Sequence, residues 1–338
     1  MTDSVPETLR ERLSSRGVDA VTPLTGGASS LTYRGDYQGR PVVVKVAPPE
    51  HPPVGHRDVL RQARMLTALA TTDVPVPQVV WEDPGDPPDT PPLFVMSLID
   101  GESTEPLFDT ADGPPDPDVP QRYRHAAQAM ARLHRIDVAA LGFAGEPIVD
   151  PAAEIDRWTA TLQTVDPALA PGWQAVRDTL HATRPDPWTP AVLHGDFRLG
   201  NLLATGTDIT AVIDWEIWAI GDPRIDVGWF LINADPQTYR RPTPYVDIAP
   251  PVEELIDCYG EAFGAELPAL RWFMALACFK STATWSLIVK HNRRRTTPDD
   301  DLEGMAPVVP QLLSRAAALL ASTMPGRTMV TEPTSTLR

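Results

Sequence analysis

Apolar residues alternate or run in short blocks through the first hundred positions and recur at helical spacing after them. Residues 4–16 carry the pattern of a short helix and 20–24 that of a strand. Residues 31–37 alternate loosely, end at the turn "QGR", and are followed over 41–47 by a run rich in β-branched side chains, which predicts a β-hairpin. Pairing around Gly39 places Lys45 opposite Tyr33. Over 58–70, Val59, Ala63, Leu66 and Ala70 share one helical stripe with Leu69 at its flank, and the polar Gln62 falls inside it. "VPVPQVVWE" and "PLFVMSLIDG" predict two more strands, the second closing at Asp100-Gly101.

Beyond Gly101, helical spacing runs over 122–135, 154–165, 173–182, 253–263, 267–291 and 305–322, interrupted by the stretch 192–216. A strand-rich first part and a helix-rich second part predict an α+β fold with two lobes. The expected division is an N-terminal lobe over 1–100, a helical C-terminal lobe over 101–324, and a loose tail over 325–338, which lacks apolar periodicity. Trp158, Trp173, Trp229, Trp272 and Trp285 are expected to be core residues, as buried tryptophans usually are.

Composition narrows the function. With 338 residues the chain is too long for one ordinary core. Its formal net charge of −16 weighs against binding a nucleic-acid backbone and is compatible with a cationic small molecule. Two cysteines, Cys258 and Cys278, suggest neither a disulfide framework nor a zinc site. The N-terminus is polar and is not expected to be a signal peptide. The apolar run 267–289 is broken by Arg271 and Lys280, so a buried helix is expected there and not a membrane span. A cytoplasmic protein is expected, with no nucleic-acid or membrane partner; the oligomeric state is open. The 38 prolines cluster at 84–92, 114–120 and 242–251, which marks loops.

The stretch "VLHGDFRLGNLLATGTDITAVIDWE" concentrates polarity between apolar blocks. Residues 202–204 and 209–213 are apolar on either side of the turn "TGTD", which predicts a second hairpin. The start of one strand lies beside the end of its antiparallel partner, so Asn201 and Asp214 meet at the open end, and Asp196 reaches it from the preceding loop. Two carboxylates and an amide oxygen form a hard-oxygen set suited to Mg²⁺, whose other positions go to waters and phosphate oxygens. Lys45 within "VVVKVA" is either a solvent-facing lysine on a half-buried strand or a cation held to meet phosphate.

"LHGDFRLGNLL" followed by "AVIDWE", with "GGASSLTY", "VVVK" and "FVMSLIDG" ahead of it in order, resembles the aminoglycoside phosphotransferase family and its choline-kinase and protein-kinase relatives. It is similar above all to the kinase-like domain found in some acyl-CoA dehydrogenases. The likeness covers roughly residues 20–290. It implies a bilobal protein-kinase-like fold and the cofactors ATP and Mg²⁺. It further implies Asp196 as catalytic base, Asn201 and Asp214 as metal ligands, Lys45 on the α- and β-phosphates, and the loop 26–30, with Gly27, Ser29 and Ser30, over the phosphates. Met96 to Leu98 would be the linker that meets adenine, and Asp226 in "DPRIDVGWF" the buried acid that braces the catalytic loop. His194 is expected to hold the loop backbone, and Arg198 to reach the transferred phosphoryl group.

One position departs from the family pattern. Where members usually carry a Glu in the helix after the lysine strand, "LRQARML" has Gln62, which can accept a hydrogen bond from Lys45 but gives no ion pair. The implied function is ATP-dependent phosphorylation of a hydroxyl on a small molecule, of aminoglycoside, macrolide or hydroxyacyl type. The alternatives are a nucleotide-binding regulatory protein with little turnover, which Gln62 would favour, and a metal-dependent phosphoester hydrolase using His194 and the acids.

Overall fold

The computed structural model describes residues 5–24, 30–49, 51–108 and 113–322. Gly27 and Ser29 of the expected phosphate loop, and the tail expected over 325–338, lie outside the described residues. The fold is α+β. The chain forms two compact units, one made of Met1–Pro151 and Pro187–Leu267, the other of Ala152–Asp186 and Pro268–Arg338.

The first unit opens with helix α1 (Glu7–Ser14) and a five-stranded antiparallel sheet in the order β1-β2-β3-β5-β4. The strands are β1 (Val18–Pro23), β2 (Leu31–Tyr37), β3 (Arg40–Val46), β4 (Val79–Asp83) and β5 (Leu93–Ser97). Period-2 alternation gives this sheet two faces. Val42, Val44 and Val46 of β3 point to one face, with Tyr33, Val18, Val21, Leu93 and Val95, and pack under Leu9 and Leu13 of α1. Each buried aliphatic side chain of this kind contributes roughly 1.5–3 kcal/mol. The other face carries Lys45.

The β2–β3 turn corrects the expected register. Tyr37 pairs with Arg40, so the turn is the two-residue Gln38-Gly39, both at positive φ (55° and 77°). This left-handed pair matches the twist of the strands. Lys45 therefore pairs with Thr32, and Tyr33 with Val44. A one-residue slip moves a side chain to the opposite face, and Tyr33 belongs to the α1 core, not beside Lys45. Helix α2 (Val59–Leu69) follows, capped by Asp58, whose carboxylate accepts from the N–H groups of Leu60 and Arg61.

The rest of this unit holds α3 (Val119–His134), β6 (Ile148–Val149), β7 (Ala191–Leu193), β8 (Leu202–Thr205), β9 (Asp208–Val212), β10 (Ala219–Gly221), α6 (Arg224–Ala234), α7 (Pro236–Tyr239) and α8 (Val252–Phe263). Strands β6, β10 and β7 form a small sheet and β8–β9 a hairpin. The helical part is thus interrupted by more than the stretch around 192–216, since β6 lies well before it. Helix α6 was not expected from spacing, because every one of its residues is buried and no apolar stripe stands out against a polar one.

The second unit contains α4 (Pro151–Leu162) from its second residue on, α5 (Trp173–Ala182), α9 (Leu270–Asn292), α10 (Asp300–Glu303) and α11 (Val308–Ala321). Trp173 of α5 sits 6.5 Å from Phe279 of α9, centroid to centroid, and Trp272 donates its indole N–H to Thr183 Oγ1 at 3.2 Å. Helix α9 is long and apolar enough to cross a membrane, as is the stretch Asp300–Ala321, but 78% of the apolar window of α9 is buried inside the protein. A long buried core helix passes the same test of length and composition.

Candidate active site

The loop between β7 and β8 carries the polar residues singled out above, and a second layer beneath fixes its shape. Asp226, on the first turn of α6, accepts from the backbone N–H of His194 at 2.6 Å and of Gly195 at 2.9 Å. The side chain of Asp226 is fully enclosed, and His134 Nε2 lies 3.5 Å from its Oδ2. His134 is in turn 2.9 Å from the Tyr259 hydroxyl through Nδ1. Burial pushes the Asp226 carboxyl up, but the hydrogen bond and charge of His134, together with His194, outweigh it and hold it below the usual carboxylate range.

His194 links the loop to the hairpin. Its Nε2 meets the Ile213 carbonyl at 2.8 Å, and its Nδ1 accepts from the Asp196 N–H at 3.1 Å, which makes Nε2 the protonated nitrogen. Gly195 has φ +86°, and a Cβ there would lie 2.6 Å from the Ile217 carbonyl oxygen, so the sharp bend requires glycine.

Asp196 is thereby presented with its carboxylate surrounded by donors. Asn201 Nδ2 bonds both the carbonyl oxygen and Oδ2 of Asp196 at 2.8 Å. Trp229 Nε1 donates to Oδ1 at 2.7 Å. Arg198 Nε lies 3.2 and 3.3 Å from the two carboxylate oxygens, and the Arg198 guanidinium also contacts Glu105. Arg198 is drawn down by burial and up by the charges of Tyr239 and Asp214.

The β8–β9 hairpin delivers the other two residues. Leu202 pairs with Val212, and the Ile213 N–H bonds the Asn201 carbonyl at 2.9 Å, so Asn201 and Asp214 emerge one step apart at the open end. Asp214 leaves the strand in the left-handed region, φ 66°. Its Oδ1 accepts from Lys45 Nζ at 2.9 Å. Burial raises the Asp214 carboxyl, and Lys45, followed by His194 and Arg198, more than offsets this and lowers it.

This pair corrects the expected partner of Lys45. Lys45, Gln62 and Asp214 line one small cavity with Phe94, Met96 and Trp215. The ammonium bonds the carboxylate, and the buried Gln62 amide nitrogen has no partner. An ionised acceptor forms the stronger bond, so Lys45 goes to Asp214 and not to the amide. Ser30 Oγ and Thr32 Oγ1 are likewise buried, with no partner among the described residues. Thr32 sits opposite Lys45 on β2. Met96 lies in β5 between Val43 and Val79. The N–H groups of Ser97 and Leu98 are taken by the carbonyls of Gln78 and Pro41.

Among the described residues there is no group of three or more His, Cys, Asp and Glu side chains placed to hold a metal. What the site offers is smaller and harder. Asn201 turns its amide nitrogen to Asp196, which leaves Oδ1 facing away, and Lys45 occupies one oxygen of Asp214. One amide and one carboxylate oxygen fit an ion such as Mg²⁺ that keeps waters and takes phosphate oxygens for the rest.

The model of the phosphotransferase enzyme family matches residues 20–273, which include all of this apparatus. The chain belongs to that family. Human acyl-CoA dehydrogenase family member 11 is 25% identical over 292 residues, covering 80% of this chain and 37% of that protein. Mouse acyl-CoA dehydrogenase family member 10 is 25% identical over 218 residues, 60% of this chain and 19% of that protein. The phosphotransferase-family chain thus spans well under half the length of these curated relatives. Among solved structures, a candidate aminoglycoside phosphotransferase from Ralstonia eutropha superposes with a TM-score of 0.71 at 21% identity, covering 92% of this chain and 98% of that one. A thermostable mutant of aminoglycoside phosphotransferase APH(4)-Ia, in ternary complex with AMP-PNP and hygromycin B, gives 0.63 at 17%, covering 94% and 99%. The macrolide 2'-phosphotransferase of Brachybacterium faecium gives 0.59 at 20%, covering 90% and 98%. At these identities the structures share the family fold.

Two contacts of the site escaped the sequence. Trp229 lies three residues after Asp226 on α6, a spacing that puts both on one face of the helix, and it meets the Asp196 carboxylate instead of being only a core filler. Glu105 follows the strand "PLFVMSLIDG" in a segment with no periodicity, and nothing in the sequence marked its contact with Arg198.

Proposed function

We propose that this chain is an ATP-dependent O-phosphotransferase that moves the γ-phosphate of ATP to a hydroxyl group of a small molecule. The observation that carries the reading is the Asp196 carboxylate, held by Asn201 beside the hairpin end where Asp214 meets Lys45. Asp196 accepts the proton as the acceptor's O–H bond breaks, the new O–P bond forms, and the bond from the γ-phosphorus to the β-phosphate bridge oxygen breaks to release ADP. Asn201 and Asp214 would hold Mg²⁺, which would supply positive charge to offset that of the transferring phosphoryl group. Lys45 binds the α- and β-phosphates, and Thr32, which pairs with Lys45 across the hairpin and so shares its face, offers a hydroxyl to phosphate oxygens. Arg198, loosely held on Asp196 at 3.2–3.3 Å, turns to the γ-phosphoryl and neutralises charge as it spreads. Met96, which lines the cavity with Lys45 and Asp214, borders the nucleotide, the Ser97 and Leu98 N–H groups being taken by Gln78 and Pro41, and His194 and Asp226 keep the loop rigid.

The test is Asp196→Asn. Phosphoryl transfer should fall by roughly 10²–10⁴-fold while Mg-AMP-PNP binding, followed by calorimetry, stays within a few-fold. A variant that keeps wild-type turnover removes Asp196 from this role. The acceptor is to be found by screening aminoglycosides, macrolides, sugars, choline and hydroxyacyl-CoA compounds.

A further inference from the structure

Asn201, Trp229 and Arg198 all donate to the carboxylate of Asp196, and they are not equivalent. Asn201 takes Oδ2 at 2.8 Å and Trp229 takes Oδ1 at 2.7 Å, whereas Arg198 Nε is shared between the two oxygens at 3.2 and 3.3 Å. An acceptor hydroxyl has to form its own hydrogen bond to this carboxylate before its proton can move. The Arg198 contacts are the longest of these, and the guanidinium keeps Glu105 as a partner when it leaves, so Arg198 is the donor that yields. Asn201 and Trp229 then hold one oxygen each.

From this we propose that Trp229 is a positioning residue for phosphoryl transfer, fixing the rotamer of the Asp196 carboxylate through its indole N–H. The inference rests on the reading of Asp196 as the base. Three features of the site support it. Trp229 is itself buried, 8% exposed, so the indole has no bulk water to turn to. It is mounted on α6, all of whose residues are buried, and the same helix holds the His194 and Gly195 N–H groups through Asp226. One rigid element thus sets both the backbone and the carboxylate of the loop. The Asn233 amide also bonds the Trp229 carbonyl at 2.9 Å, which ties the next turn of the helix to the tryptophan. Finally, indole is a donor only. It can orient the carboxylate without competing for the proton that the carboxylate must accept.

A tryptophan kept for packing and one kept for its N–H respond differently to Trp229→Phe, which retains an aromatic ring and deletes the donor. The experiment uses the full chain with Mg-ATP, water as phosphoryl acceptor, and ADP release as the readout. Trp229→Phe should lower the rate roughly tenfold, as expected for losing one hydrogen bond to a charged group. Its affinity for Mg-AMP-PNP should stay at the wild-type value, and its melting temperature should fall by no more than about 10 °C, so that the protein remains folded under the assay conditions. In ¹⁵N spectra of the tryptophan indoles, the N–H signal that Trp229→Phe deletes should lie downfield in the wild type and move upfield in Asp196→Ala. Wild-type ADP release in Trp229→Phe, or an indole signal indifferent to Asp196→Ala, overturns the proposal. If Asp196→Asn keeps full turnover, the base assignment itself fails, and the role of Trp229 with it. A loss in Asp196→Asn without one in Trp229→Phe defeats the tryptophan alone.

Discussion

Asp226 and Asp214 are both acids behind the same loop, and they are housed in opposite ways. Asp226 is fully enclosed and takes the His194 and Gly195 N–H groups, with His134 and Tyr259 behind it. Asp214 has 31% of its side chain exposed and one lysine on one oxygen. Beside it in the same cavity is Gln62, whose buried amide nitrogen has no partner among the described residues, and opposite Lys45 on β2 the Thr32 hydroxyl is in the same state. Buried polar groups are nearly always satisfied, so under the proposed function the Gln62 and Thr32 atoms beside Lys45 are ones that a bound nucleotide would complete. The floor is finished by the fold, and the mouth is left for what binds.

The largest effect should come from the floor. Asp226→Ala strands two buried backbone N–H groups, and should cost about 2–5 kcal/mol of stability, the scale for two donors left unpaired at roughly 1–3 kcal/mol each. Denaturant unfolding measures it, and a loss under about 1 kcal/mol would erase the distinction between floor and mouth. The pH dependence has a definite sign. The folded Asp226 carboxyl is held below its usual value, so its contribution is complete above that value and is lost as pH falls through the lower, folded one.

Next in size is Arg198→Ala, which should lower kcat by roughly 10²-fold with a smaller change in KM for ATP, while lysine there recovers part of the loss. An unaltered kcat would return Arg198 to a support for Asp196 and Glu105. Asp214→Ala should weaken Mg-AMP-PNP by at least about tenfold, while metal-free AMP-PNP binds no more weakly than before, because Lys45 is then released to the phosphates. Calorimetry with and without the ion decides it, and equal losses would take Asp214 out of the metal shell. The smallest change is expected from Gln62→Glu. It should fold normally and shift turnover by no more than about threefold upward, as an acid beside Lys45 draws it from Asp214. A large loss in steady-state rate would mean that Gln62 serves a different contact.

The two hairpins were legible because alternation and turn residues are local signals. Residues 31–37 match β2, and the "TGTD" segment encloses the Gly206-Thr207 turn. The register of the first hairpin was not legible, because glutamine seldom takes a left-handed conformation and Gly39 alone was taken as the centre of the turn. Helix α6 was invisible for the opposite reason. "RIDVGWFLINA" is buried on all sides, so it has no polar face to give it a period. Asp226 came from the resemblance. Trp229 was absorbed into the core by its residue type, and its hydrogen bond to Asp196 depends on a loop folding back over the helix.

The division of the second unit between Ala152–Asp186 and Pro268–Arg338 has a consequence during synthesis on the ribosome. Helices α4 and α5 emerge well before α9 and α11, separated from them by Pro187–Leu267. At elongation rates of roughly 5–20 residues per second, the Trp173, Val176 and Leu180 face of α5 waits several seconds for Phe279 and its neighbours. The nascent chain therefore carries an uncovered apolar helix pair through the middle of its translation. That interval is when a chaperone has most to hold.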